Sequence, residues 1–369
     1  MKLLVLSPSF YLPGQGVRIG GGEISNYLLL QQLARKGHQV CVVSLHGVAG
    51  YGSNVDGIRV FNIGSRMSVP VVARALAMAR YSREALKIAA EYQPDLVLSI
   101  TSASAVGLKI RNDLNIPFGI MLRAGNDLTK TNENGSALKR TILNTLMGSP
   151  DNRLLNEADF LIVNSKYMKR VFAEHAGDQK IDVVYPPVDE EQRPFKPLTR
   201  VRRVVSVGAS ERKGFAIIKA VASLMPEIHF HVVGDPGLQP GESRSERNLK
   251  ISGWFADRQD YLDPADLVAV PSVWDEPFGR IAVEALRHGR CVLISGSGGL
   301  PEVLDFREEL IVSPNKPEEW VRKIRQVDEN PDFYQKICAS TAKISRKFIL
   351  KEQAELFEKI LEKHARAHT

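Results

Sequence analysis

A chain of 369 residues with 44% hydrophobic and 25% charged residues has the composition of a soluble globular protein, and its length favours two domains over one. Because it contains no run of about 18 apolar residues, no membrane-spanning helix is predicted. Residues 1–180 hold 21 Lys and Arg against 13 Asp and Glu, a net charge of +8, whereas the whole chain has a net charge of +7. The positive excess therefore lies entirely in the first half, which predicts an anionic partner for this half or a merely solvated basic surface.

The first half of the chain alternates short apolar segments with helical patterns. Strands are expected at 2–7, 39–45, 95–100, 117–122 and 159–163, and helices at 23–36, 68–92, 103–114 and 137–157. Continuous apolar strands that alternate with helices are typical of a parallel sheet covered on both faces.

The same alternation restarts in the second half, with strands expected at 204–208, 229–234, 267–271 and 291–295. Four prolines at 186, 187, 194 and 197 predict an extended linker over about 186–200. A charged amphipathic helix is expected at about 351–367. The predicted organisation is therefore two doubly wound domains, 1–187 and 188–345, and a terminal helical segment, 346–369. Ligands of such sheets bind at the carboxyl ends of the strands, so a central cleft between the domains is the expected site.

Two glutamates, Glu276 and Glu284, lie eight residues apart after the strand at 267–271. The first is expected in the loop that leaves the strand, and the second about two turns into a helix that ends at Gly289. Between them, the N-terminal end of that helix suits a phosphate because its first backbone N–H groups lack helical partners. Carboxylates suit hydroxyl groups instead. This layout predicts a nucleotide-sugar site, with one carboxylate on the sugar, the other on the ribose and amides on the diphosphate.

Three loops add weaker signals. Residues 20–23 follow the first strand and open a helix, and their glycines allow close approach of backbone to an anion. Arg212 and Lys213 follow the first strand of the second series, where they could neutralise a diphosphate. Residues 298–302 place two glycines before a helix that begins with proline. Taken singly, these segments also fit a flexible loop or a solvated basic turn.

Together, these motifs resemble the retaining glycosyltransferases of the GT-B fold, specifically glycosyltransferase family 4, also called glycosyl transferases group 1. The resemblance extends over nearly the whole chain and is most specific at Glu276–Glu284. It implies two Rossmann-like α/β domains that face a central cleft, with the acceptor bound by the N-terminal domain, the nucleotide-sugar bound by the C-terminal domain, and the terminal helix crossing back. The matching segments keep the family's order: 21–23, 37–40, 157–159, 163–165, 184–189, 208–214, 233–234, 271–272, 276–284 and 298–302.

The resemblance also implies roles for individual residues. Glu284 is expected to bind the ribose hydroxyls and Glu276 to face the donor sugar, while Lys213, with Arg212, offsets the charge on the leaving phosphate. The base is expected near Trp254. The implied donor-binding residues are Gly21, Gly22, Arg212, Lys213, Trp254, Glu276, Phe278, Gly279, Arg280, Ile281 and Glu284.

Two departures from the family pattern affect the site. Many members carry an arginine where this chain has Ala209, and Arg212 could substitute for it. Many also carry a histidine in the loop after the fourth strand, which here holds Arg123, Asn126 and Asp127 instead. These three residues are the candidates for acceptor binding, and Asp127 joins Glu276 and Lys213 as a catalytic candidate. A structural ion pair is the alternative for Arg123.

No cofactor and no metal are expected, because no cluster of Asp, His or Cys has metal-ligand spacing. Lys213, Arg212 and helix amides would supply the positive charge. Cys41, Cys291 and Cys338 are expected to be buried, reduced thiols of a cytosolic protein. Retention at the anomeric centre is predicted, with the leaving phosphate oxygen taking the acceptor's proton.

The predicted function is an enzyme of the hexosyltransferase type, which moves a sugar from a UDP- or GDP-linked donor to a saccharide or lipid-linked acceptor in bacterial surface polysaccharide or lipopolysaccharide assembly. The alternatives are a glycosyltransferase of small metabolites and a catalytically silent nucleotide-sugar binding protein. Nucleic acid is not an expected partner, because no basic motif interleaved with aromatic residues occurs.

The expected location is cytoplasmic, with peripheral attachment to the inner face of the plasma membrane as a further hypothesis. In the helix predicted at 68–92, Arg80, Arg83 and Lys87 share one face. That face could lie on an anionic membrane surface. The alternative is an ordinary core-facing helix with a solvated basic side.

Overall fold

The structure, a computed structural model, describes residues 1–10, 20–47, 51–64, 71–123, 152–189 and 191–366. These residues fall into two compact units, Met1–Pro187 with Leu350–Thr369, and Val188–Ile349. Each unit is built on its own sheet.

Strands in both units are short, as expected for the segments rich in Val, Ile and Leu. Those of the first unit are β1 (Lys2–Phe10), β2 (Gln39–Gly47), β3 (Ser53–Val55), β4 (Ile58–Asn62), β5 (Leu96–Ile100), β6 (Phe118–Leu122), β7 (Phe160–Val163) and β8 (Ile181–Val183). Those of the second unit are β9 (Arg203–Val207), β10 (His229–Val233), β11 (Ser243–Glu246), β12 (Leu249–Ser252), β13 (Leu267–Val270), β14 (Cys291–Ser295) and β15 (Ile311–Val312).

Helices follow most of these strands. In the first unit they are α1 (Gly21–Arg35), α2 (Val71–Tyr92), α3 (Ser104–Leu114), α4 (Asn152–Glu157) and α5 (Lys166–Ala176). In the second unit they are α6 (Phe215–Leu224), α7 (Gln259–Leu262), α8 (Arg280–Arg287), α9 (Leu300–Val303), α10 (Pro317–Glu329) and α11 (Pro331–Ile344). The last helix, α12 (Leu350–Arg366), belongs to the first unit. Of the helix expected at 137–157, residues 137–151 lie outside the described residues.

Both sheets are parallel except at one edge. The first has the order β3-β4-β2-β1-β5-β6-β7-β8, and the second β11-β12-β10-β9-β13-β14-β15. Only β3 and β11, of the strands described, run antiparallel to their neighbours. The expectation of two doubly wound α/β sheets is therefore confirmed.

Strand β1 shows why its apolar run is continuous. Leu4 and Leu6 pack into a cluster with residues of α2, α3 and α5 on one face of the sheet. Leu3 and Val5 pack into a second cluster with residues of α1 and α12 on the other face. Because side chains alternate along a strand, a sheet covered on both faces requires apolar residues at every position.

Of the strands that sequence analysis missed, β3, β8, β11 and β15 are short or lie at sheet edges, whereas β4 and β12 lie inside their sheets and bury apolar residues. All four residues of β11 are exposed and polar, and β3 and β15 contain only three and two residues. An edge strand that pairs only through its backbone needs no apolar side chain, so composition gives it little signal.

Helix α12 is anchored to the first unit by both apolar and polar contacts. Phe357 and Leu361 are fully buried in the cluster that also contains Leu3 and Val5. At the polar side, Glu358 accepts from Lys36 at 2.5 Å and contacts His38 Nε2 at 2.7 Å. The helix is thus an integral part of the first unit.

We expect Phe357→Ala to lower the free energy of unfolding by about 3–5 kcal/mol, because it removes a buried aromatic ring and leaves a cavity. Leu356→Ala, one residue earlier and 38% exposed, is the matched control and should change stability by less than about 0.5 kcal/mol. Urea unfolding followed by circular dichroism measures both. Equal effects of the two variants would contradict the packing described for α12.

Among the described residues between 188 and 202 there is no helix or strand, as the prolines predict, but the segment is hydrogen-bonded to the rest of the second unit. The Arg193 N–H donates to the Arg287 carbonyl at 2.8 Å, and the Lys196 N–H donates to the Gly289 carbonyl at 3.1 Å. The extended linker is expected over about 186–200. From residue 193 on, it is hydrogen-bonded to the C-terminal end of α8 and to Gly289, which follows that helix.

Among the described helices, none combines the length and apolarity that crossing a bilayer requires. Cys41, Cys291 and Cys338 are buried and unpaired by disulfides, as expected for reduced thiols.

Candidate functional site

Two loops of the second unit meet where its strand order reverses. Strand β9 lies between β10, which follows it in sequence, and β13 on the other side. The loop after β9 carries Lys213 and the loop after β13 carries Glu276. Since open parallel sheets bind ligands at the carboxyl ends of strands beside such a reversal, this is the position at which a site is expected.

The Glu276 side chain is the centre of a hydrogen-bonded cluster. It is only 6% exposed. Its Oε1 accepts from Lys213 Nζ at 2.5 Å, and its Oε2 accepts from Trp274 Nε1 at 2.5 Å and from Ser272 Oγ at 3.1 Å. A buried carboxylate needs such donors to offset the loss of water. The two oxygens thus have different partners: Oε1 has a cation, and Oε2 has two neutral donors of its own loop.

The cations beside this carboxylate also contact an aromatic ring. Arg212 Cζ lies 5.5 Å and Lys213 Nζ 5.9 Å from the centroid of the Trp274 ring, within the range of cation–π attraction. Gly208 makes room for Lys213, because a Cβ at Gly208 would lie 2.7 Å from Lys213 Cγ. Both basic residues predicted to neutralise a diphosphate therefore lie at the same cluster as Glu276.

The loop at 298–302 supports Glu276 through the backbone. Gly299 N–H donates to the Glu276 carbonyl at 2.6 Å. Gly298 has a φ of +59°, and a Cβ there would lie 2.4 Å from the same carbonyl oxygen. Of the two glycines that sequence analysis interpreted as an anion-tolerant loop, Gly298 is thus required for close contact with the loop that carries Glu276, and Gly299 contributes its N–H.

Helix α8 begins directly after this cluster, with Gly279 as its N-cap. Phe278 is buried, with its ring 5.1 Å from that of Phe348, so its side chain belongs to the core and only its backbone could contact a ligand. Ile281 is half-buried in the first turn. The first turn of a helix presents N–H groups that have no acceptor within the helix, which suits a diphosphate.

Glu284 lies one turn further along α8 and is held by two arginines. Its Oε1 accepts from Arg280 Nη2 at 2.9 Å and lies 3.2 Å from Arg258 Nη1. Arg258 also contacts Asp189 at 3.3 Å. Burial alone would raise the pKa of Glu284, but the positive charges of Arg280 and Arg258 outweigh it and hold the pKa below its usual value. The carboxylate therefore stays ionised at neutral pH.

A cavity of about 280 Å³ opens beside Glu284. Its volume and its mixture of charged and polar groups suit part of a polar small molecule. The lining residues include Asp189, Arg258, Gln259, Glu284, Arg287 and His288.

Trp254, the residue predicted near the base, packs against the backbone of the second unit. A Cβ at Gly234 would lie 2.7 Å from Trp254 Cζ2, so the indole covers this glycine. From this segment, the residues that line the cavity beside Glu284 are those from Ala256 to Gln259, which begin two residues after Trp254. A base contact by Trp254 itself stays a prediction.

In the first unit, Gly21 and Gly22 form the first turn of α1. The Glu23 side chain accepts from the Gly20 N–H at 2.9 Å and from Ser9 Oγ at 2.5 Å. This is the Glu half of a capping box, because the N-cap Gly20 has no side chain to complete it, and it places a carboxylate at the positive end of the helix. The expected contact of the two glycines with a diphosphate stays a prediction.

Of the acceptor candidates, Arg123 is described and Asn126 and Asp127 lie outside the described residues. Arg123 follows β6, and its Nε and Nη2 donate to Asn26 Oδ1 at 2.9 and 2.5 Å. Asn26 lies on α1 and is buried. The guanidinium therefore bonds the amide oxygen of Asn26, and the alternative of a structural ion pair stays a prediction.

Four residues of these clusters had no assigned role in the sequence analysis: Ser272, Trp274, Arg258 and Asp189. Trp274 stands two residues before Glu276, and a donor-only indole beside an important carboxylate is a signal that the sequence did contain. Arg258 and Asp189 are far from Glu284 in sequence, and their meeting depends on how the chain returns to α8. No local pattern predicts it.

Two family models match the chain in sequence. The model described as Glycosyltransferase Family 4 matches residues 19–192, and the one described as Glycosyl transferases group 1 matches residues 201–330. Together they cover all the described strands except β1.

Among curated proteins, the D-inositol 3-phosphate glycosyltransferase of Mycobacteroides abscessus is 30% identical over 209 residues, which are 49% of this chain and 47% of that protein. The chain spans about half the length of the curated relatives it matches. Sucrose-phosphate synthase from Thermosynechococcus elongatus superimposes over the full length of both chains with a TM-score of 0.80 and 16% identity. HepE from Anabaena, in complex with UDP-glucose, covers 98% of this chain and is covered in full, with a TM-score of 0.71 and 20% identity. At such identities the likeness shows the fold, which is GT-B.

Proposed function

The chain belongs to the family 4, group 1 glycosyltransferases of the GT-B fold, and on that basis we propose that it transfers a sugar from a nucleotide-diphosphate sugar to an acceptor hydroxyl. The observation that carries the proposal is the meeting of Lys213 and Glu276 beside the strand-order reversal, with Glu284 at a cavity on the same helix that begins there. A cation, a helix N-terminus and two carboxylates are the groups that a diphosphate between two sugars requires.

In the proposed reaction, the bond between the anomeric carbon and the diphosphate oxygen breaks, and its electron pair stays on that oxygen. The acceptor hydroxyl oxygen bonds to the anomeric carbon on the same face, with retention, and its proton passes to the departing phosphate oxygen. Lys213 and Arg212 offset the charge that develops on the phosphate, and Glu276 binds the sugar and stabilises charge on its ring. Groups fixed in place where charge develops are the strongest contribution to such a rate.

We propose further that these residues act without a bound metal ion. The support is chemical: Lys213, Arg212 and the N–H groups of the first turn of α8 can supply the positive charge that a divalent cation would otherwise bring to the diphosphate. The same nucleotide-sugar affinity in EDTA and in magnesium chloride is the corresponding expectation.

A thermal-shift panel tests the proposal. UDP-glucose, UDP-N-acetylglucosamine, GDP-mannose and the free nucleotides UDP and GDP are each added in EDTA and in magnesium chloride. A ligand that binds only the folded protein raises the unfolding temperature by mass action. We expect ligands of one base to raise the unfolding temperature clearly, with UDP preferred over GDP. Without an acceptor, the bound nucleotide-sugar should also be hydrolysed slowly, which is measured as release of free nucleotide. No shift with any member would contradict the proposal, and binding without nucleotide release would favour the catalytically silent alternative.

Two classes of acceptor are supported by different observations. The basic first half of the chain favours an anionic or membrane-bound saccharide acceptor, as in surface polysaccharide or lipopolysaccharide assembly. The names of the curated relatives, which are inositol phosphate glycosyltransferases, favour a small phosphorylated metabolite. Inositol 3-phosphate added to the selected donor separates them, since a glycosylated product appears only in the second case.

For a membrane-bound acceptor, we propose that α2 contacts the anionic inner face of the plasma membrane. Arg80, Arg83 and Lys87 are all exposed along one side of this helix, and Leu76 on the same side is 67% exposed. The opposite side is buried through Tyr81, with other core residues. A row of basic residues beside an exposed leucine suits an interface between anionic headgroups and acyl chains.

The triple variant Arg80→Gln, Arg83→Gln and Lys87→Gln should pellet at least tenfold less with vesicles of phosphatidylserine and phosphatidylcholine, because each basic residue near such a surface contributes about 1 kcal/mol. Vesicles of phosphatidylcholine alone are the control. Equal pelleting of wild type with both kinds of vesicle, or of wild type and variant with the anionic kind, would exclude this surface.

A further inference from the structure

The two oxygens of Glu276 are held by groups of different character. Lys213, the partner of Oε1, has a long flexible side chain that is about a third exposed. The partners of Oε2, Trp274 Nε1 and Ser272 Oγ, are on the same loop as Glu276 itself. An indole N–H can donate but not accept, so Glu276 Oε2 is the acceptor in this bond.

This difference matters when a donor binds. If Lys213 turns to the diphosphate, it releases Oε1, which can then accept a hydrogen bond from a sugar hydroxyl. Oε2 remains held by Trp274 and Ser272, so the carboxylate keeps its orientation during the exchange. The ring of Trp274 also remains beside Arg212 and Lys213, at 5.5 and 5.9 Å from its centroid.

We infer that Trp274 is a positioning residue for recognition of the donor sugar: its indole N–H fixes the Glu276 carboxylate so that Oε1 alone is presented to the sugar. The inference rests on the proposed function, and it adds a residue that sequence analysis did not include in the site. Trp274 itself touches the carboxylate and the two cations, not the reacting atoms.

The test is Trp274→Phe, which keeps an aromatic ring beside the cations and removes only the N–H donor and part of the ring. Affinities for UDP and UDP-glucose are measured by calorimetry for wild type and variant, with GDP and GDP-mannose as the pair if the panel selects guanine. UDP lacks the sugar that Glu276 is proposed to bind, so its affinity should change by less than about twofold. The ratio of the two affinities should shift about tenfold against UDP-glucose, the factor expected for a hydrogen bond to a charged group.

Two further variants make the result specific. Ser272→Ala removes the longer of the two bonds to Oε2 and should shift the same ratio by a smaller factor. Trp320→Phe is the matched control, since Trp320 is a fully buried tryptophan of α10 whose Nε1 has no hydrogen-bond partner within the described residues. Its ratio should equal that of wild type.

The outcomes are distinct. An unchanged ratio in Trp274→Phe, with UDP still bound, would overturn the inference while leaving the proposed function intact. If wild type binds neither the nucleotides nor their sugar conjugates, the proposed function and the inference both fail. Equal loss of UDP and UDP-glucose affinity would assign Trp274 a purely structural role and would also overturn it, and circular dichroism shows whether the variant is folded.

Discussion

Replacing Lys213 with alanine should lower kcat for release of nucleotide from the donor by a factor of about 10²–10³, the effect of removing one preorganised group that stabilises developing charge. The KM for the donor should change much less, because the helix amides and Glu284 remain. The measurement is initial-rate kinetics with the nucleotide-sugar that the thermal-shift panel selects.

The same substitution also affects folding, since it leaves Glu276 Oε1 buried without its cation. A loss of about 1–3 kcal/mol in the free energy of unfolding is expected for an unsatisfied buried acceptor. The double variant Lys213→Ala, Glu276→Gln removes the uncompensated charge and should recover part of that stability, but not activity. Stability and catalysis would thereby be separated at one pair of residues.

Lys316→Ala is the matched control, because Lys316 forms a Lys–Glu ion pair of the same type with Glu319 at 3.1 Å on the exposed surface of α10. An exposed pair contributes about 0–1 kcal/mol, and neither kcat nor stability should change appreciably. A kcat for Lys213→Ala within about threefold of wild type would show that Lys213 acts only as the structural partner of Glu276.

The fold could be predicted from sequence largely because buried parallel strands have a continuous apolar pattern. The run Leu3–Leu6 is apolar at every position because each of its two faces meets helices, and the structure shows both clusters. The meeting of Lys213 and Glu276 could be predicted as well, since each follows a strand and strand ends converge at one edge of a sheet. Pattern and topology therefore sufficed to bring these two residues together, and their roles stay predictions.

What could not be predicted depends on side-chain geometry or on contacts distant in sequence. The glycines at 298 and 299 gave the same signal as an anion-binding loop, but their neighbour is the carbonyl of Glu276. The contact of Arg258 with Glu284 and Asp189 joins three segments that no local pattern connects. The basic turn at 212–213 likewise gave no sign that an indole lies beside both cations.

Glu284→Gln should lower the affinity for UDP by about 10–100-fold, because a charge-assisted hydrogen bond to the ribose is replaced by a neutral one. Calorimetry with UDP measures it directly, without knowledge of sugar or acceptor. Glu329→Gln, at an exposed position near the end of α10, is the matched control and should leave the affinity unchanged. An affinity within about twofold of wild type for Glu284→Gln would exclude the carboxylate from nucleotide binding.

The same variant makes a prediction about stability and pH. The pKa of Glu284 is held below its usual value by Arg280 and Arg258, so its ion pairs contribute fully above the unfolded-state value of about 4.3. As the pH falls from about 5 through the lower folded-state pKa, that contribution is lost. The difference in unfolding free energy between wild type and Glu284→Gln should therefore be constant from pH 7 to about 5 and shrink below it. A difference that grew on acidification would mean that burial, rather than the two arginines, dominates the electrostatics of this carboxylate.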